Sequence, residues 1–140
     1  TVGGPGFVAV GTAYFDQPGD ESPDWYAVAW TSPDGYTWSS IPLDGVGSRM
    51  TGVAATETGL VAIGTVYTGE WQAEVQAAVW TSPDGITWSR APLEEDVGYA
   101  QMNSITAGGP GFVAVGSFPV ATGHEDPSHR DVGAVWIAEP

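Results

Sequence analysis

One phrase occurs three times in this chain: Gly3-Gly4-Pro5-Gly6-Phe7-Val8-Ala9-Val10-Gly11, Thr58-Gly59-Leu60-Val61-Ala62-Ile63-Gly64 and Gly108-Gly109-Pro110-Gly111-Phe112-Val113-Ala114-Val115-Gly116. A second phrase interleaves with it. Ala29-Trp30-Thr31-Ser32-Pro33-Asp34-Gly35-Tyr36-Thr37-Trp38 returns as Val79-Trp80-Thr81-Ser82-Pro83-Asp84-Gly85-Ile86-Thr87-Trp88, and Ala134-Val135-Trp136 begins it again. Self-similarity at about 50 residues marks a supersecondary unit stacked on copies of itself. The 140 residues are the length of one ordinary domain, but in such a chain the core is shared out between neighbouring units.

The repeated segments are rich in Val, Ile, Ala, Thr and aromatics, short, and fenced by Gly, Pro, Asp and Ser, which is strand composition. Aligning Met50 with Met102 also brings Val53 onto Ile105, Gly59 onto Gly111 and Leu60 onto Phe112 without a gap. The unit therefore has four strands, expected in the second repeat at Met50 to Thr56, Leu60 to Val66, Val75 to Thr81 and Thr87 to Leu93. The second strand carries apolar or small residues on both faces: Phe7, Ala9 and Gly11 on one, Val8 and Val10 on the other. Such a strand needs cover on both sides. Small four-stranded antiparallel sheets packed face to face around an axis provide it, so the expected fold is all-β, a β-propeller-like array. A β-sandwich is the alternative, but it gives no reason for a whole four-strand unit to repeat at near-constant length.

Between the third and fourth strands, Ser-Pro-Asp-Gly combines a Pro preset for the second turn position, an Asp able to bond its own following backbone and a Gly free to take positive φ. The residues Ser32, Asp34, Gly35, Thr37 and Trp38, and again Ser82, Asp84, Gly85, Thr87 and Trp88, resemble the Asp box of bacterial neuraminidase repeats, Ser-x-Asp-x-Gly-x-Thr-Trp. Asp34 and Asp84 stand directly before their glycines, one residue shorter than that pattern. Through the flanking strands the likeness spans nearly the whole chain. It implies a sialidase-like propeller blade in which the box is a structural element remote from any active centre.

Thr1-Val2 align with Thr106-Ala107 at the end of a first strand, and the chain stops where a third box is due. About ten strands are expected, three, four and three, with blade 1 at 1–43 (first strand truncated), blade 2 at 48–93 (complete) and blade 3 at 100–140 (fourth strand missing). A ring needs typically 4 to 8 blades. Further blades are therefore expected from a longer parent chain, or else from other copies. A start at Thr1 reads as a processed or excised chain.

Composition narrows the partners. Seventeen acids stand against three Arg and no Lys, a formal charge of −14. Phosphate backbones and anionic membrane surfaces are repelled by such a chain, and Schiff-base chemistry has no lysine to use. No apolar run approaches the roughly 18 residues of a membrane span, so no membrane insertion is expected. Without cysteine there are neither disulfides nor thiolate metal sites.

In a four-stranded blade, second-to-third loops and interblade links share one end. All acids except Asp34, Glu57, Asp84 and Glu139 fall there. The functional reading is a cation-attracting face, for Ca²⁺, a basic protein or an amine; the plain one is polar loops that keep the protein soluble. No loop spaces its oxygens as a calcium loop does, so no cofactor is assigned and Ca²⁺ is left open. Aromatics share the same loops, and rings beside carboxylates are what sugar sites use. The ligand-binding candidates are Tyr14, Asp16, Trp25, Tyr67, Trp71 and Phe118; for Trp25 the competing role is simple packing at the start of a strand. His124, Asp126 and His129 are the weak metal candidates, in a long loop that reads better as a solvated insertion.

No Gly-x-Ser-x-Gly occurs and no serine comes with a matched His and acid. Sialidase-like catalysis, as the resemblance implies it, needs three converging arginines. Arg49 is expected just ahead of a first strand, Arg90 on an outer fourth strand and Arg130 in the long loop, so no catalytic residue is assigned. The expected function is a non-catalytic extracellular or cell-surface propeller segment that binds a glycan or a surface protein. The alternatives are a fragment of a sialidase-like glycoside hydrolase and a structural repeat in a surface assembly.

Overall fold

β-Branched and aromatic residues alternate with small ones through each repeated segment, and each run ends at a glycine or proline, so the chain folds into successive strands joined by turns. In a computed structural model, described at residues 1–15, 24–68, 74–93, 100–108, 111–121 and 129–138, the described residues contain no helix. The strands are β1 (Val2–Gly3), β2 (Gly6–Phe15), β3 (Asp24–Ser32), β4 (Ser39–Val46), β5 (Ser48–Thr56), β6 (Gly59–Thr68), β7 (Glu74–Ser82), β8 (Ser89–Ala91), β9 (Gln101–Gly108), β10 (Gly111–Ala121) and β11 (His129–Ala138). They form three antiparallel sheets, β1-β2-β3-β4, β5-β6-β7-β8 and β11-β10-β9, each a meander in chain order.

The boundaries depart from expectation in three instructive ways. Arg49 lies inside β5 rather than ahead of it, because the ladder with β6 runs on through Arg49↔Thr65 to Ser48↔Val66. The fourth strand of the second sheet is Ser89–Ala91, shorter than the span from Thr87 to Leu93. The amides of Ile86 and Thr87 are bonded to the Asp84 carboxylate and are unavailable to a ladder. Finally, the expected three strands of the first unit become four, since Val2–Gly3 pairs with Phe7 and Gly6 as a two-residue strand.

Two sheets carry the same bulge. Thr51 is the extra residue between Met50↔Gly64 and Gly52↔Ile63, and Asn103 the extra one between Met102↔Gly116 and Ser104↔Val115. The glycine that ends the repeated phrase is explained there. A Cβ at Gly64 would fall on the Arg49 carbonyl oxygen, and one at Gly116 on the Gln101 carbonyl oxygen.

The sheets stack in chain order. Ala27 with Val10 and Leu43 of the first sheet meets Met50, Ala62, Ala78 and Trp80 of the second. On its other face the second sheet offers Val61, Ile63, Ala77 and Val79 to Ala100, Met102 and Ala114 of the third. β6 is thus covered on both sides, as its two apolar faces require, and each buried Val or Ile contributes roughly 1.5–3 kcal/mol. Polar pegs fix the stacking. Thr51 Oγ1 donates to the Met102 carbonyl across 2.6 Å. Ser48 Oγ accepts from the Ala27 amide at 3.0 Å and donates to the Gly45 carbonyl at 2.6 Å, filling the gap where β3 and β4 lose register. Among the described residues nothing covers the outer face of the third sheet: Val135 is 63% and Ile137 75% exposed, whereas Val79, the counterpart of Val135, is 6% exposed.

Candidate functional site

The two ends of the stacked sheets differ in what their side chains do. At one end lie the Ser-Pro-Asp-Gly turns. Asp34 Oδ1 accepts the amides of Tyr36 and Thr37, both at 2.8 Å, and Ser32 Oγ accepts the Gly35 amide at 2.8 Å. Trp38 Nε1 closes the turn on the Gly35 carbonyl at 3.1 Å. Ser82, Asp84, Gly85, Thr87 and Trp88 repeat the arrangement, with Asp84 Oδ1 at 2.8 Å from the Ile86 amide and 2.7 Å from that of Thr87, and Trp88 Nε1 at 3.0 Å from the Gly85 carbonyl. Gly35 and Gly85 take φ of 79° and 77°, a region open to glycine.

Both carboxyls are held below the ordinary aspartate value. For Asp34 the largest cause is the backbone bond from Thr37, then that from Tyr36; for Asp84 it is that from Thr87, then that from Ile86. In each, Oδ1 is occupied by the turn's own backbone amides and Oδ2 accepts the turn's threonine hydroxyl. The second turn is also wedged against the first sheet, since a Cβ on Gly85 would lie 3.0 Å from Pro5, 3.2 Å from Leu60 and 3.4 Å from Val8. This end is joinery.

The other end gathers three of the aromatic candidates. Tyr14 and Trp25 oppose each other in the β2–β3 ladder, which puts both on one face of the first sheet. Trp25 meets Tyr67 of the second sheet edge to face, with ring centroids 4.7 Å apart and planes at 74°. Gly47 laces the same corner: its amide donates to the Trp25 carbonyl and its carbonyl accepts from the Tyr67 amide, both at 2.7 Å. Tyr14 is 69% exposed, while Trp25 and Tyr67 are half-buried. Beside them Thr68 Oγ1 donates to Glu74 Oε2 at 3.3 Å. An exposed ring backed by a fixed aromatic pair, with an acid and hydroxyls nearby, can stack on a flat apolar surface while accepting and donating hydrogen bonds at its rim.

The remaining candidates fall elsewhere. Phe118 packs half-buried against the core between the second and third sheets and is not part of this corner. Asp16, Trp71, His124 and Asp126 lie outside the described residues, and His129 is placed only as the first residue of β11. Among the described residues no three His, Cys, Asp or Glu side chains group to hold a metal.

A cleft of about 290 Å³ between the first two sheets was not anticipated. Leu43, Val66, Trp80, Trp88 and Arg90 line it with Gly45 and Ser48. Most of these side chains belong to the inter-sheet core, and the Ser48 hydroxyl is spent at both ends on backbone. Arg90, exposed where the first repeat has Ser40, is the sequence signal that marks the cleft.

Comparison with protein-family models, with curated proteins and with solved structures gives no match for this chain. The likeness of its turns to the Asp box therefore rests on the turn residues themselves.

Proposed function

We propose that the chain is part of a β-propeller of Asp-box type, acting outside the cell as a non-catalytic module that binds a glycan through the Tyr14–Trp25–Tyr67 corner. The observation that carries the reading is the aromatic corner itself. Tyr14 and Tyr67 occupy the same place in the repeat, one residue before the end of β2 and of β6. In the second sheet that ring meets an indole edge to face; in the first it is 69% exposed and available to stack on a sugar face. Support for the propeller comes from meander sheets of one repeated unit stacked in chain order. Arg49 and Arg90 sit on β5 and β8, opposite edges of one sheet, and Arg49 Nε is bonded to Thr65 Oγ1 at 3.1 Å. That placement favours binding over sialidase chemistry.

The test is a glycan array followed by titration under indole fluorescence. Saturable binding is expected, with quenching of Trp25, and Tyr14→Ala should weaken it by about tenfold while moving the melting temperature by no more than about 2 °C, as truncation of a ring that is 69% exposed does. Absence of any saturable glycan, or unchanged affinity in Tyr14→Ala, refutes the assignment.

A further inference from the structure

The second and third units differ in size at one position that faces the preceding sheet. With Met50 set on Met102, Val66 falls on Phe118. Phe118, two residues after Gly116 on β10, packs against the core between the second and third sheets. Val66, two residues after Gly64 on β6, packs with Met50, Ala62 and Trp80 against the first sheet. An isopropyl group is smaller than a benzyl group, and Val66 borders open space: the cleft of about 290 Å³ that it shares with Leu43, Trp80, Trp88 and Arg90. That volume is close to the lower end for small-molecule sites, roughly 300–1,000 Å³.

The walls of the cleft are held in place from both sheets. Trp80 and Arg90 stand directly opposite in the β7–β8 ladder, so indole and guanidinium leave the same face of the second sheet. Trp88 is half-buried, and its Nε1 is bonded to the Gly85 carbonyl at 3.0 Å, which fixes the ring. Across from them the first sheet bulges: Val28 pairs with Pro42 and Tyr26 with Val46, so residues 43 to 45 together oppose Ala27 alone. Bulges are over-represented beside functional sites, because they re-aim side chains and end regular pairing. Ser48 Oγ pins this one, between the Ala27 amide and the Gly45 carbonyl. Arg90 is exposed, and among the described residues its guanidinium has no hydrogen-bond or ion-pair partner, in a chain with 17 acids.

We infer that this cleft is a second binding site, separate from the Tyr14–Trp25–Tyr67 corner, and that its ligand is a small aryl carboxylate. The aryl ring occupies the place beside Val66 that the third unit gives to the Phe118 ring, against Leu43 and the two indoles. Aromatic walls favour a flat ring, which they meet edge to face or offset. The carboxylate pairs with Arg90, whose planar fork of N–H donors takes both oxygens at once. The first unit has Ser40 in place of Arg90 and offers no cation there, so the site belongs to the junction of the first and second sheets.

Phenylpropionate titrated into the full chain and followed by ligand-observed NMR tests this, with neutral phenylpropionamide beside it. Saturable binding of the acid is expected, about tenfold tighter than that of the amide, as a charge-assisted pair provides. Arg90→Gln should reduce the acid to the level of the amide while moving the melting temperature by no more than about 2 °C, since Arg90 is exposed. Val66→Phe supplies the ring from the protein itself, and should weaken the acid at least about tenfold while melting at or above the parent temperature, as cavity-filling does. No saturable binding of the acid overturns the inference. Equal binding of acid and amide, or undiminished binding of the acid by Arg90→Gln or by a folded Val66→Phe chain, overturns it as well. Should Val66→Phe fail to fold, the amide and Arg90→Gln comparisons decide the matter. None of these readouts involves a glycan, so they stand apart from the test of the aromatic corner.

Discussion

Gly64→Ala is the sharpest test of the stacked-sheet framework. The new methyl would fall on the Arg49 carbonyl oxygen, 2.8 Å from the Met50 Cα and 2.9 Å from the Arg49 carbonyl carbon. All three are backbone atoms of a paired strand, so no rotamer change relieves the clash. Overpacking of this sort costs roughly 1–3 kcal/mol. Moving β5 away also weakens the ladder on either side, Met50↔Gly64 and Arg49↔Thr65, at about 1 kcal/mol for each hydrogen bond. A loss of about 3–5 kcal/mol follows, against a typical total of 5–15 kcal/mol. For a chain of this size that corresponds to a fall in melting temperature of about 10 °C or more. Gly116→Ala meets the Gln101 carbonyl in the same way and should behave alike. Gly108 and Gly133 are the controls: a Cβ at either meets nothing within 4 Å, and alanine there should be neutral or stabilising by up to about 1 kcal/mol. Thermal and urea melts of the four variants provide the comparison. If Gly64→Ala melts within about 2 °C of the parent, or no lower than Gly108→Ala, the bulge is not what selects the repeated glycine.

Asp84→Ala should lower the melting temperature more than Asp34→Ala, because the Asp84 turn is wedged against Pro5, Leu60 and Val8 while the Asp34 turn faces solvent; equal shifts in parallel melts would contradict this. Since the folded Asp84 carboxyl titrates below the ordinary 3.8, its contribution is complete above that value and fades as pH falls through the lower folded one. The gap between parent and Asp84→Ala should therefore hold at neutral pH and close in acid, and a gap that widens in acid would contradict the assignment. The charge of −14 predicts that raising salt from low to physiological strength stabilises the chain by screening, with Ca²⁺ and Mg²⁺ nearly equivalent. Calcium acting well beyond magnesium would instead point to a specific site.

The framework was legible because it is written several times over. Phe7, Ala9 and Gly11 on one face and Val8 and Val10 on the other called for two covering layers, and for their counterparts on β6 the sheets before and after supply them. The Ser-Pro-Asp-Gly turns were legible for a local reason, as the side chains of Asp84 and Ser82 bond each other, the amides that follow them and the Thr87 hydroxyl, all within the turn. What escaped was the bulge. Thr51 and Asn103 share no side-chain chemistry with each other beyond polarity, and the trace they leave is on the opposite strand, as an invariantly placed glycine. The same spacing error explains Arg49: with the bulge unseen, the first strand reads as starting at Met50, whereas the extra residue lets pairing run back to Ser48.

The aromatic corner was only half legible, because equivalent residues in a repeat need not have equivalent neighbours. Tyr14 and Tyr67 look alike in sequence, and Phe118 was grouped with them as a third loop aromatic. In space each answers to a different surface: Tyr67 to Trp25 from the preceding sheet, Phe118 to the core beneath it, and Tyr14 to solvent. Trp25 is the asymmetric member, since the second repeat has Val75 at the start of β7. One indole placed once thus converts a repeated structural position into a corner found between the first and second sheets. Function in an array of this kind sits where one unit departs from the rest, because a feature present in every unit is already committed to holding the units together. On the proposed reading, Trp25 is the departure that makes the corner, so its substitution, or that of Tyr14 beside it, should change what the chain binds, whereas substitution of Asp34, Asp84, Gly64 or Gly116 should change only whether it folds.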